Sequence, residues 1–118
     1  MKVANMRLVR LHFDDIANKT YETYITFQQA NRLRQLLSEA LSLSNADSVV
    51  SVGSMTAILT PNEFVDNEIT IDGLRSLVDG SDGTGDPNNS FGTIPDSLSL
   101  NIHDAIALMQ YLDMFPKL

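Results

Sequence analysis

Residues 6–43 read MRLVRLHFDDIANKTYETYITFQQANRLRQLLSEALSL, and this stretch decides the fold class. Between Arg7 and Phe13, Val9, Leu11 and Phe13 alternate with Arg10 and His12, the period-two pattern of a strand with one buried side. Thr23, Ile25 and Phe27 alternate in the same way with Glu22, Tyr24 and Thr26. Asp14–Thr20 separates the two runs and holds Asn18, a residue suited to a turn. The spacing predicts a hairpin.

The period then becomes helical. Thr26 stands three residues before Gln29. In that capping-box arrangement the threonine hydroxyl accepts from the Gln29 amide, and the glutamine side chain returns to the Thr26 amide. Ala30, Leu33, Leu37, Ala40 and Leu41 recur at helical spacing, and Leu36 widens the stripe. Arg32, Gln35 and Glu39 fall on the outer side, so a helix is predicted from about Phe27 to Leu43.

Downstream, Val49–Thr60 is rich in β-branched residues, and Gly53 divides it into two short strands by a turn or bulge. Glu68–Val78 carries two patterns. Its EITI suits a strand, whereas Ile71, Leu74, Leu77 and Val78 suit a short helix capped by Thr70. Gly73 would cost such a helix about 1 kcal/mol, which favours a short strand or turn leading into one helical segment. Leu98, Leu100 and Ile102 alternate in a further strand over Ser97–Ile102. A helix to about Phe115 follows, with Asn101 as its cap, Ala105, Leu108, Met109 and Leu112 as its stripe, and Pro116 as its stop. Residues 79–93, DGSDGTGDPNNSFGT, hold four of the six glycines and form a long loop.

These elements define one α+β domain over residues 1–118. The expected architecture is an antiparallel sheet of about four to six strands with two main amphipathic helices on one face. The two strand–helix junctions also align at an offset of 75 residues: Ala30, Leu33, Gln35 and Leu37 meet identical residues at 105, 108, 110 and 112. Two strand-strand-helix units with an insertion in the second would give this match. So would apolar periodicity alone.

Charge is the most informative feature for function. The formal net charge is −7, and it is unevenly placed. Residues 1–43 hold six bases and four acids, whereas residues 44–118 hold two bases and eleven acids. Direct nucleic-acid binding needs clustered Lys and Arg and is disfavoured. The start of the chain lacks the uninterrupted apolar run of a signal peptide, and no apolar run approaches a membrane span. The chain contains no cysteine, which removes disulfides, thiolate ligands and a thiol nucleophile, and suits a cytoplasmic protein.

Catalytic patterns are missing from the sequence. His12 and His103 are the only histidines, with neither HExxH nor HxxxH spacing, so no metal site is expected. Gly53-Ser54-Met55 lacks the second glycine of a nucleophile elbow. The glycine-rich loop has no Lys-Ser or Lys-Thr after its glycines and is neither a P-loop nor a dinucleotide fingerprint. Asp79, Asp82 and Asp86 do not match the EF-hand spacing.

The expectation is therefore a non-enzymatic interaction module of inhibitor or adaptor type, without a cofactor. It would dock a basic partner surface through Glu63, Asp66, Glu68, Asp72, Asp79, Asp82 and Asp86, with Tyr24 as an exposed aromatic contact, and would form a homo-oligomer, most simply a dimer. The alternative is a small-molecule binder that closes the 79–93 loop over an anionic ligand or nucleotide at a subunit interface. Loop backbone N–H groups, with Arg7, Arg10, Arg32 or Arg34 from a neighbouring subunit, would then supply the positive field. A metal-dependent hydrolase using Asp79, Asp82 or Asp86 is a third possibility. Tyr21, Phe64, Phe91 and Met114 are further candidates for an exposed apolar patch.

Overall fold

A computed structural model describes residues 8–42, 49–60, 67–78 and 94–116. The expected loop at 79–93 lies outside the described residues.

Strands β1 (Leu8–Asp14) and β2 (Thr20–Thr26) pair antiparallel, with Arg10 opposite Tyr24 and His12 opposite Glu22. The connection is tighter than the sequence spacing implies. Asp15 N–H donates to Lys19 O and Asn18 N–H to Asp15 O, both at 2.9 Å, and Asn18 takes φ +64°. This is a type I turn followed by a left-handed residue, a three-residue loop that asparagine tolerates. The Asp15 carboxylate locks it by accepting from the Ala17 and Lys19 amides.

Helix α1 (Phe27–Leu41) starts directly on β2, so Phe27 begins the helix rather than ending the strand. The capping box forms as expected: Gln29 N–H donates to Thr26 Oγ1 at 3.1 Å, and Thr26 N–H donates to Gln29 Oε1 at 2.7 Å. Leu33, Leu36, Leu37 and Ala40 are buried, and the helix stops at Leu41, two residues before the expected end.

Strands β3 (Val49–Val52) and β4 (Met55–Thr60) form a hairpin through Gly53 and Ser54. Gly53 has φ +60° and Ser54 does not have a positive φ, the signature of a type II′ turn. The ambiguous stretch resolves into strand β5 (Glu68–Asp72) and a five-residue helix α2 (Leu74–Val78). Thr70 is therefore not a helix cap; it lies within β5, and its hydroxyl hydrogen-bonds that of Ser99 at 2.8 Å. Gly73 marks the junction at φ +85°. Strand β6 (Ser97–Asn101) then leads straight into α3 (Ile102–Leu112), where the Asn101 side chain accepts from the His103 amide at 2.8 Å. This helix ends three residues short of Phe115, with Asp113 as its C-cap.

The fold is α+β, with six strands, two long helices and one short helix among the described residues. The expected antiparallel sheet is present as β3-β4-β5-β6, and β1-β2 form a second, separate antiparallel sheet. Ile16 N–H donates to Ser99 O at 2.9 Å, tying the hairpin turn to the outer edge of β6. At that point the sheets meet. Helix α3 touches β1 of one sheet and β5 and β6 of the other, and Tyr111 Oη donates to Arg10 O at 2.7 Å.

Both sheets contribute to one core. Val9, Leu11 and Ile25 from the hairpin join Met55, Ile69, Ile71 and Leu100 from the larger sheet, together with Leu33, Leu36 and Leu37 of α1. The aligned positions 30/105, 33/108 and 37/112 are all buried, and 35/110 are both exposed. Each of the two junctions thus presents the same face of its helix to the core. No helix among the described residues is long and apolar enough to cross a membrane.

Candidate docking face and cleft

The inner side of the four-stranded sheet is apolar and buried, which leaves its opposite side to carry the alternate residues. The registers arrange these in three rows across the strands. Ser51, Thr56, Asp72 and Ser97 form one row; Val49, Ile58, Thr70 and Ser99 the next; Thr60, Glu68 and Asn101 the last. Hydroxyls dominate, and Glu68 and Asp72 are the only charges in these rows. Val49 is 55% exposed and sits beside half-buried Ile58 on the same side. Glu68 and Asp72 are four residues apart on one strand, roughly 14 Å.

Of the residues expected to dock a basic partner, these two are thus brought onto one face. Glu63, Asp66, Asp79, Asp82 and Asp86 lie outside the described residues. Because β5 lies between the first pair and the last three in the chain, the acidic stretch of sequence passes through an interior strand of the sheet. Tyr24 is 37% exposed but belongs to the other sheet, opposite Arg10. Tyr21 is half-buried, stacked at a tilt on Phe13, and Met114 is exposed beyond the end of α3. Phe64 and Phe91 lie outside the described residues.

The arginines considered for an anionic ligand are placed apart within one chain. Arg10 forms an ion pair with Glu22, diagonally across the hairpin, and the hydrogen bond and charge of Glu22 raise its pKa. The Arg32 guanidinium lies over the β3–β4 turn, where a Cβ on Gly53 would meet its Nη1 at 2.6 Å. Arg34 donates to Asn31 Oδ1 and stands 4.0 Å from Asp113. Arg7 lies outside the described residues. The described three therefore do not converge on one site.

Sequence patterns missed one concave feature among the described residues. An open cleft of about 420 Å³ lies between β1 and α3, lined by Arg10, His12, Phe13, Asp14, Asp104, Ala107, Leu108 and Tyr111. Residues 12 and 104 are far apart in sequence; the Tyr111–Arg10 and Ile16–Ser99 contacts and the β6–α3 junction help bring them together. Its volume falls in the range of small-ligand sites. Among the described residues no group of three or more His, Cys, Asp or Glu side chains is placed to hold a metal ion.

No protein-family model, curated protein or solved structure matches this chain.

Proposed function

We propose that this chain is a non-enzymatic interaction protein whose outer sheet face docks a basic surface of a partner, as an inhibitor or adaptor that competes with nucleic acid. The observation that carries the reading is the face itself: three rows of mostly small polar side chains, exposed Val49 beside half-buried Ile58, two carboxylates and, among the described residues of these rows, no Lys or Arg. Charge of one sign on a flat surface steers an oppositely charged partner and fixes its register. The apolar spot supplies area that water leaves on docking. Residues 63, 66, 79, 82 and 86 supply further acidic charge in the sequence flanking β5 and α2. The proposal includes a homodimer and a cytoplasmic setting, in which nucleic-acid-binding partners with basic surfaces are available.

The test is binding of a fluorescent decalysine probe at 0.05 M and 0.5 M salt. Exposed charges are screened over a few ångströms at the higher salt, so affinity should fall by about tenfold or more. Binding that survives 0.5 M salt unchanged contradicts the reading. Sedimentation velocity reads the dimer, as a species of twice the 13.0 kDa chain mass.

A further inference from the structure

Among the described residues, the outward edge of β1 is a strand edge with a short open interval. In an antiparallel pair, alternate residues aim both their N–H and C=O groups away from the partner strand. The bond from Asp15 N–H to Lys19 O makes 15 and 19 a pair bonded to each other, so the even-numbered residues of β1 face outward. Two contacts agree with this: Arg10 O accepts from Tyr111 Oη, and Ile16 N–H donates to Ser99 O. Those contacts also bound the edge. Between them lie the outward amide and carbonyl of His12 and Asp14, which have no backbone partner among the described residues outside the β1–β2 pair. The cleft lies along this interval, with Phe13, Ala107 and Leu108 in its lining and the Asp14 and Asp104 carboxylates at the end nearest the start of α3.

We propose that this cleft binds an extended peptide segment of a partner protein, about three residues long, that pairs with the His12–Asp14 edge. A lysine or arginine side chain of that segment reaches the Asp14 and Asp104 carboxylates. The backbone chemistry selects an extended segment, because adjacent N–H and C=O groups on a strand edge are satisfied by another strand. The two carboxylates select a basic side chain. A second copy of β1 is the other conceivable occupant, since antiparallel self-pairing centred on His12 would set Arg10 opposite Asp14. That pairing would require the Tyr111–Arg10 bond to be displaced in both copies, whereas a short segment opposite His12 leaves it intact. This site is separate from the outer face of the four-stranded sheet and does not rest on the function proposed there.

The experiment is an amide-resolved NMR titration with acetyl-Ala-Ala-Lys-Ala-amide and its glutamate counterpart. The lysine peptide should shift the amides of His12, Asp14 and Ala107, and the glutamate peptide should bind about fivefold more weakly or not at all. Asp14→Asn and Asp104→Asn should each weaken the lysine peptide by about two- to fivefold, the range of an exposed ion pair. Asn at 14 keeps an acceptor for the Thr20 hydroxyl that Asp14 Oδ1 now receives, so the hairpin end is preserved. Methylating the peptide nitrogen that faces His12 should abolish the shifts. Equal binding of both peptides, insensitivity to methylation, or no shift at millimolar peptide overturns the proposal. So does a dimer, lost in Asp14→Asn, that excludes the peptide. Substitutions at Glu68 and Asp72 leave this titration unchanged, so its outcome and that of the docking face are read independently.

Discussion

The side-chain amide of Gln29, in the first turn of α1, donates to the main-chain oxygen of Leu77 in α2 and lies 3.4 Å from that of Val78. Gln29 is 1% exposed, and its other amide atom already accepts from Thr26 N–H. One buried side chain therefore caps the start of one helix and the end of another. A five-residue helix cannot sustain itself by propensity, and its last carbonyls need partners. Gln29 supplies one.

Gln29→Ala should destabilise the fold by about 2–4 kcal/mol, combining a lost cap with a buried carbonyl left unpaired. Thr26→Ala should cost only about 1 kcal/mol, because the Leu77 contact survives. Gln29→Glu keeps the acceptor for Thr26 but loses the donor to Leu77, and should approach the alanine value. Urea denaturation of the three variants checks the order.

Gly73 and Gly53 both have positive φ but differ in surroundings. A Cβ at 73 would lie 2.5 Å from Ser54 O and 3.1 Å from Met55 Cα, against backbone that cannot yield. Gly73→Ala should therefore cost more than about 2 kcal/mol. At 53 the nearest atoms are the far end of the Arg32 side chain, which can swing away. Gly53→Asn keeps only the strain of a side chain at positive φ and should cost about 1–2 kcal/mol, less than Gly73→Ala. Thermal melts of the pair separate the two cases.

Tyr21 predicts an alkaline limb. Partial burial, the charge of Asp15 and its hydrogen bond at 3.3 Å together raise the Tyr21 pKa. A group whose folded pKa is raised contributes stability below its unfolded pKa, about 10 for tyrosine, and loses it as pH rises through the folded value. Stability should thus fall above about pH 10, and Tyr21→Phe should reduce that fall. Denaturation across pH 8–11.5, with and without the substitution, measures it.

Tyr111→Phe removes the hydroxyl that holds α3 against β1 at Arg10. The expected loss is about 1 kcal/mol, with faster amide exchange in β1 than in β5 as the local signature.

These contacts show where sequence reading stops. Strands, helices and the Thr26–Gln29 box follow from local periodicity and capping chemistry, which act within a few residues. The placing of the two sheets side by side does not, because the Ile16–Ser99 and Tyr111–Arg10 bonds that link them join distant segments. Apolar alternation marks which side of a strand is buried but not which strand lies next to it. The same limit holds for function. Glu68 and Asp72 were legible as acids, and their shared outer side follows from alternation with Ile69 and Ile71. The cleft was invisible, since its lining draws on β1 and α3, and nothing local distinguishes Asp14 or Asp104 from other surface acids.

The central claim, that the outer face of β3–β6 docks a basic partner, is tested most directly by mapping where a basic probe binds. Decalysine should perturb the amides of Ile58, Thr70 and Ser99 in an NMR titration. Those shifts should shrink in 0.5 M salt and in the Glu68→Gln/Asp72→Asn double variant, with circular dichroism confirming its fold. Shifts confined to other surfaces, or unchanged in the double variant, would contradict the account.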